Sequence, residues 1–257
     1  MYNPKFRTKR NGVPILSKNE IDDIAEECLK EFAPKALEKP QAIDEDRFLT
    51  EYLKLIQDFQ FLTHCGIYLG MTVFNDTNKV IVYNPSTNRA EYIKAKGGTV
   101  IIDNTLLEEG QEHRYRFTAI HEAGHWILHR KKYCIKNKNP LIYDQFTKDN
   151  FKCRAAIIDD KVKPVCEWND NDSMEWQANY FAAAILMPKP VLIGLCENSR
   201  LIRNLDLRSL GNTDVYNDLL ATHISHVFNV SLRAAKVRLY YLGLTKAKVE
   251  SYKVLIN

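Results

Sequence analysis

Residues 114–130 read RYRFTAIHEAGHWILHR, and this stretch decides how the rest of the chain is interpreted. On a helix, His121 and His125 stand one turn apart on the same face, so their imidazoles can bind one metal ion. Glu122 follows the first histidine and lies close to water at the metal, from which it can take a proton. The HExxH spacing therefore predicts a metal site with Glu122 as its general base.

The alternative interpretation is that the two histidines are ordinary polar residues on a half-buried helix. The positions around them are large and apolar, which predicts a deeply packed helix; they are Phe117, Ile120, Trp126 and Leu128. Unpaired imidazoles in such a place would be costly, whereas a metal ion satisfies both rings at once. The pattern therefore favours the metal site.

The composition is that of an ordinary globular protein. The 257 residues are 45% hydrophobic and 26% charged, and the net charge of +4 is too small to indicate a nucleic-acid or membrane partner. The longest apolar run, residues 181–187, is too short to span a bilayer, and no signal peptide opens the chain. Six cysteines without a CxxC pair are typical of reduced thiols. We expect a cytoplasmic protein without membrane attachment or direct nucleic-acid binding.

The chain divides into a short arm and one domain. Residues 1–16 show no periodicity, which predicts a flexible N-terminal arm. Residues 17–257 are expected to form a single domain with three parts: N-terminal helices in 17–58, the sheet and the helices of the metal site in 59–188, and C-terminal helices in 189–257.

The elements before the HExxH stretch predict an α+β fold. Ser17 and Glu20 form a capping box that opens an amphipathic helix, and a second helix is predicted from Asp44 to Asp58. Three short β-rich runs then predict a small antiparallel sheet packed on the helical core; they are residues 71–74, 80–83 and 99–102. An edge strand of such a sheet can pair with an extended peptide.

The connection after the HExxH stretch, residues 131–172, is polar and begins with a basic cluster. More than forty residues without clear periodicity are long for a connection in a compact domain. The segment is therefore interpreted as a lid, a binding loop or a partly disordered insert.

A third metal ligand is expected from a helix further along the chain, because catalytic zinc sites use three protein ligands and leave one position for water or substrate. The helix that begins at Asp172 carries an apolar stripe with small residues, so it can approach the HExxH helix closely. Glu175, near its start, is positioned to reach the histidines. Other assignments stay open here. Asp172 and Glu175 match a D-x-x-E capping box, in which the glutamate would only satisfy the helix start, and His223 or His226 could supply a ligand instead. His129 is in line with His125, but three ligands along one helix would not close around a single ion.

Two linked motifs resemble a known family. TAIHEAGHWILH (residues 118–129) followed by EWQANYFAAAILMP (residues 175–188) is similar to the ImmA/IrrE family of metallopeptidases, HExxH zincins of the gluzincin type. FNVSLRAAKVRL (residues 228–239) is similar to the family's C-terminal pattern. Carried over residue by residue, the resemblance implies one Zn2+ per chain, held by His121, His125 and Glu175, with Glu122 as the general base.

The resemblance also implies a substrate, since several bacterial and phage members of this family cleave a helix-turn-helix repressor to relieve repression. An antitoxin-like protein is a related possibility. The developing oxyanion needs a second stabiliser besides the metal, and the candidates are His129, Tyr180 or a residue of the connection 131–172. His129 is alternatively interpreted as a residue that packs behind the ligands. A different class of function remains open, namely a metal-stabilised regulatory protein that sequesters a repressor without hydrolysis. The weakest alternative is DNA binding by a predicted helix, short turn and helix near the C-terminal end. Ser231 is expected to cap the second of these helices, whose charges are Arg233, Lys236 and Arg238.

Overall fold

The computed structural model describes residues 1–133, 151–154, 165–198 and 213–245. Helices and strands occur together in one structure, so the predicted α+β class is confirmed. The helices are α1 Lys18–Phe32, α2 Glu45–Arg47, α3 Glu112–Tyr133, α4 Asp170–Leu186, α5 Lys189–Asn198, α6 Thr213–Phe228 and α7 Leu232–Tyr241. The strands are β1 Ile56–Gln60, β2 Tyr68–Val73, β3 Thr77–Asn84, β4 Arg89–Ala95, β5 Thr99–Asp103 and β6 Phe151–Arg154.

The main sheet has four strands in the order β1-β5-β2-β6. Strand β2 runs antiparallel to both of its neighbours, but β1 runs parallel to β5, with Ile56 opposite Thr99. The sheet is therefore mixed and not wholly antiparallel as predicted. The difference arises from β1, which begins in the segment for which the sequence predicts a helix and pairs in parallel with β5.

Helix α3 lies between the sheet and helix α4. On one side, Thr72 of β2 hydrogen bonds to Glu122 of α3. On the other side, Gly124 faces α4 so closely that a Cβ atom there would lie 3.1 Å from Phe181 and 3.3 Å from the Cα of Ala178. Small residues on both helices thus permit the close approach that the apolar stripe of α4 predicted.

Strands β3 and β4 form a separate two-stranded sheet that covers the face of the main sheet turned away from α3. Side chains alternate along β2, so Gly70 and Thr72 face α3 whereas Met71 and Val73 face the hairpin. The hairpin and the sheet share one apolar cluster, made of Leu62, Met71, Val73, Val80, Val82 and Ile101.

The helix predicted from Asp44 to Asp58 is shorter in the structure. It ends in a π-helical turn, Phe48–Tyr52, and Lys54 then adopts a left-handed φ of 58°, which stops the helical path. The Ile56 amide donates to the carbonyl of Gly98 at 2.9 Å and starts β1. The last residues of the predicted helix therefore form a strand paired with β5, although their apolar spacing is that of a helix.

The N-terminal segment, for which the sequence predicts a flexible arm, lies against the helices in this structure. Val13 is fully buried, and Thr8 pairs with Pro14 in an isolated β-bridge. Lys9 Nζ lies 2.6 Å from a carboxylate oxygen of Asp170, at the start of α4. The segment therefore contacts the helix that carries Glu175.

Helices α6 and α7 have the helix, turn and helix order predicted for the C-terminal region, and Ser231 caps α7 as expected. Arg238, one of the charges considered for DNA contact, is fully buried and binds Asp22 of α1 at 2.6 Å. Much of the predicted connection 131–172 lies outside the described residues. Among those described, no single helix is long and apolar enough to cross a membrane, although the bent pair α4 and α5 passes on length and composition alone.

Candidate metal centre

His121, His125 and Glu175 come together in the structure. The Nε2 atoms of the two histidines lie 3.0 Å apart. The Glu175 carboxylate oxygens lie 3.4 Å from His121 Nε2 and 3.5 Å from His125 Nε2. In the described residues, this is the group of His, Cys, Asp and Glu side chains whose potential ligand atoms all fall within 4.8 Å of one another.

The position of Glu175 follows from where helix α4 begins. The helix starts at Asp170, and its capping box joins the side chains of Asn169 and Asp172 to each other's backbone amides. The alternative in which Asp172 and Glu175 form the capping box is therefore wrong. Glu175 lies in the second turn of α4. Because α4 packs closely against Gly124 of α3, the Glu175 carboxylate reaches the two histidines of that helix.

A hydrogen bond from α4 fixes the protonation of the first histidine. His121 Nδ1 lies 2.9 Å from Asn179 Oδ1, and a carboxamide oxygen only accepts hydrogen bonds. The proton of a neutral His121 must therefore sit on Nδ1, so that Nε2 carries a lone pair. That lone pair points toward the cluster.

A longer relay sets the second histidine in the same way. Gln177 Nε2 donates to the carbonyl of Pro14 at 3.0 Å, which turns its Oε1 toward His129 Nε2 at 2.9 Å. The proton of neutral His129 then sits on Nε2, and its Nδ1 accepts from His125 Nδ1 at 2.9 Å. His125 Nε2 is consequently also a lone-pair donor.

Two imidazole lone pairs and a carboxylate thus converge on one small volume, an arrangement that repels itself unless a cation lies between the three groups. Ligands of a tetrahedral zinc ion at about 2.0–2.1 Å stand about 3.3 Å apart, close to the separations found here. The donor set is neutral imidazole and carboxylate, which zinc accepts. The residues fit a divalent metal ion.

Burial keeps the ligand groups in their metal-binding forms. His125 is completely buried, which lowers its pKa despite the opposing effect of the Glu175 carboxylate. Burial, with the nearby His125 ring adding to it, also holds the pKa of His129 well below its usual value. Burial would raise the pKa of Glu175, but the rings of His125 and His121 outweigh it and lower that pKa. His125 and His129 are therefore neutral and Glu175 is ionised near pH 7.

Glu122 lies beside the cluster, held against strand β2. The Thr72 hydroxyl lies 2.5 Å from Glu122 Oε2 and 3.0 Å from its backbone carbonyl oxygen. A Cβ atom on Gly70 would come within 2.7 Å of Glu122 Oε1, so only glycine leaves room for the carboxylate there. The strand therefore fixes the position of this carboxylate on both sides.

The two candidate oxyanion stabilisers lie elsewhere. His129 is fully buried behind His125, with both ring nitrogens in the relay, so its position suits orienting the ligand and not contacting a substrate. Tyr180 is buried and its hydroxyl donates to Asp22 Oδ2 at 3.0 Å, away from the cluster. The alternative ligands His223 and His226 lie on α6 and do not join the group.

Four residues that support the site were not found from the sequence: Gly70, Thr72, Gln177 and Asn179. Asn179 stands one helical turn after Glu175, so the spacing of α4 offered a signal for it. Gln177 could not be found in that way, because its role depends on Pro14 and His129. Gly70 and Thr72 stand fifty positions before Glu122 and give no local signal.

The site thus combines a histidine pair on one helix, a glutamate on a second helix and a strand packed on Glu122. The model of the Peptidase_M78 family, described as the IrrE N-terminal-like domain, matches residues 160–240. This match confirms the resemblance to an ImmA/IrrE family metallopeptidase. It covers about a third of the chain, including Glu175 and the C-terminal helices, and begins after the HExxH helix. Comparison with curated proteins gave no match.

Proposed function

We propose that the chain is a zinc-dependent endopeptidase, with one Zn2+ held by His121, His125 and Glu175. The observation that carries this proposal is the convergence of two imidazole lone pairs and a carboxylate beside a second, precisely held glutamate. A structural zinc site would use a fourth protein ligand, and the described residues bring three to this group. An open coordination position favours catalysis over a purely stabilising role.

Zinc, when bound, supplies Lewis-acid chemistry, since it makes water more acidic and polarises a carbonyl group. Glu122 is the proposed general base: its carboxylate accepts the proton of the attacking water and passes it to the leaving nitrogen. Thr72 and Gly70 hold that carboxylate in place. Asn179 and the His129 relay hold the two histidines in the tautomer that presents Nε2.

The proposed substrate is a helix-turn-helix repressor or an antitoxin-like protein, whose cleavage relieves repression. Support comes from the resemblance of the two linked motifs to the ImmA/IrrE family. A cytoplasmic location accords with this substrate, and Cys28, Cys65, Cys166 and Cys196 are free thiols in the described part of the chain.

The test separates hydrolysis from sequestration. The zinc-loaded chain is incubated with a helix-turn-helix repressor whose gene neighbours its own. Fragments are identified by mass spectrometry. Discrete fragments from the native chain, and an uncleaved complex with Glu122→Gln at unchanged zinc content, are expected. A stable complex without fragments from the native chain would indicate the sequestering regulator instead. Metal analysis of His125→Ala against the native chain checks the site independently, because loss of zinc is expected without reference to activity.

A further inference from the structure

Within the described part of the chain, strand β6 pairs with strand β2 alone and forms an edge of the sheet. The antiparallel register places Gly70 opposite Cys153, Met71 opposite Lys152, and Thr72 opposite Phe151. Because β5 pairs with the other side of β2, both hydrogen-bonding edges of β2 are taken.

Two of the four β2 residues that pair with β6 also contact the proposed general base. Gly70 packs against the Glu122 carboxylate, and the Thr72 hydroxyl binds it at 2.5 Å. The backbone of β6 therefore runs beside the part of β2 that lies on Glu122. A peptide strand added at this edge of β2 would therefore lie beside Glu122.

Extended peptides bind sheets by adding a strand to an edge, which supplies regular backbone hydrogen bonds regardless of sequence. The β5 side of β2 is closed, since every residue of β5 is buried in the sheet interior. The outer edge of β2 is the side on which a substrate strand can be added next to Glu122. We propose that this edge is the peptide-docking surface of the enzyme, and that β6 occupies it as an intramolecular competitor that the substrate displaces.

The inference rests on the proposed peptidase function and adds a mode of regulation to it. Strand β6 suits a removable role, because it has four residues and, among the strands that the structure describes, pairs only with β2. Strand β5, in contrast, is paired on both sides. The basal activity of the native chain is accordingly held down by β6, and a substrate that competes well for the β2 edge is cleaved in preference.

Proline tests the competition because it has no backbone N–H to donate. Backbone amides alternate in direction along a strand, so of two neighbouring residues one directs its N–H toward β2. Of the two single variants Lys152→Pro and Cys153→Pro, at least one therefore removes a hydrogen-bond donor to β2. Lys152→Ala and Cys153→Ala are the matched controls that keep the amide. Labelled casein, an unfolded protein substrate, is given to each zinc-loaded full-length variant.

We expect kcat/KM to rise several-fold in at least one proline variant relative to its alanine partner, mainly through a lower KM. Equal or lower values in both proline variants, with zinc content unchanged, would overturn the competition and leave the peptidase function intact. Absence of cleavage by every variant would overturn the peptidase function and this inference with it.

Hydrogen exchange gives a second measurement that does not depend on how proline affects folding. In Glu122→Gln saturated with casein, amides of β6 should lose protection while those of β2 keep it, because one partner strand replaces the other. If β6 stays protected in the presence of bound casein, the substrate does not use this edge and the inference fails.

Discussion

Gln177 Oε1 accepts a hydrogen bond from His129 Nε2 at 2.9 Å, and this contact ties the metal centre to the N-terminal segment. Because Gln177 also donates to the carbonyl of Pro14, its amide cannot turn without losing a bond. His129 in turn orients His125. Gln177 is therefore the side chain that begins the relay, and the relay fixes the tautomer of the ligand His125.

Replacing Gln177 should therefore weaken zinc binding. We expect Gln177→Leu, similar in size but without hydrogen-bonding groups, to lower zinc affinity about 10- to 100-fold, the usual cost of losing an orienting partner behind a ligand. Competition with a chromophoric chelator measures this affinity. Ser173→Ala, a change at a half-buried position of the same helix, is the control and should leave affinity unchanged. An unaltered affinity in Gln177→Leu would mean that the relay does not set the His125 tautomer.

Removing the Thr72 hydroxyl should affect catalysis and not metal binding. A hydrogen bond to a carboxylate contributes about 1.5–3 kcal/mol, so we expect Thr72→Val to lower kcat about tenfold or more at unchanged zinc content. Thr72→Ser, which keeps the hydroxyl, should restore most of the activity. Thr99→Val makes the same change at a buried threonine of the adjacent strand β5 and serves as the matched control. A similar loss of kcat in both valine variants would point to a general packing effect.

Zinc should stabilise the native chain in proportion to its concentration. A ligand at about 100 times its Kd adds about 2.7 kcal/mol to the free energy of unfolding, and a chelator should remove that contribution. Urea unfolding with and without zinc measures the difference. Glu175→Gln should reduce the zinc-dependent shift strongly, whereas Glu167→Gln, an exposed glutamate just before α4, should keep it. A full zinc effect in Glu175→Gln would remove this glutamate from the ligand set.

The ion pair of Arg238 and Asp22 should be essential for stability, because both side chains are almost completely buried. Asp22→Ala leaves the Arg238 charge buried without its partner, and we expect it to lower the free energy of unfolding by about 3–5 kcal/mol. The double variant Asp22→Leu with Arg238→Met removes both charges and should cost clearly less. Urea unfolding of the native chain, the single variant and the double variant measures these differences. A double variant as unstable as the single one would show that the unpaired buried charge does not cause the loss of stability.

The predictions from sequence succeeded where the structure depends on near neighbours in the chain. The capping box of Ser17 and Glu20 is present, and Ser231 caps the last helix. The prediction failed between Asp44 and Asp58, where helical spacing continued into residues that pair with β5. It also failed at Asp172, because Asn169 three residues earlier caps the helix in its place.

The sequence by itself determined the HExxH helix, its two histidines on one face, and Glu122 beside them, because a helix places residues four apart together whatever surrounds it. Only the tertiary structure decided that Glu175 meets these histidines, since that requires α3 and α4 to touch at Gly124. It also decided that Pro14, Gln177 and His129 form one relay and that β6 lies beside the strand over Glu122. These contacts join residues far apart in the chain, and their hydrogen bonds depend on packing that no local pattern encodes.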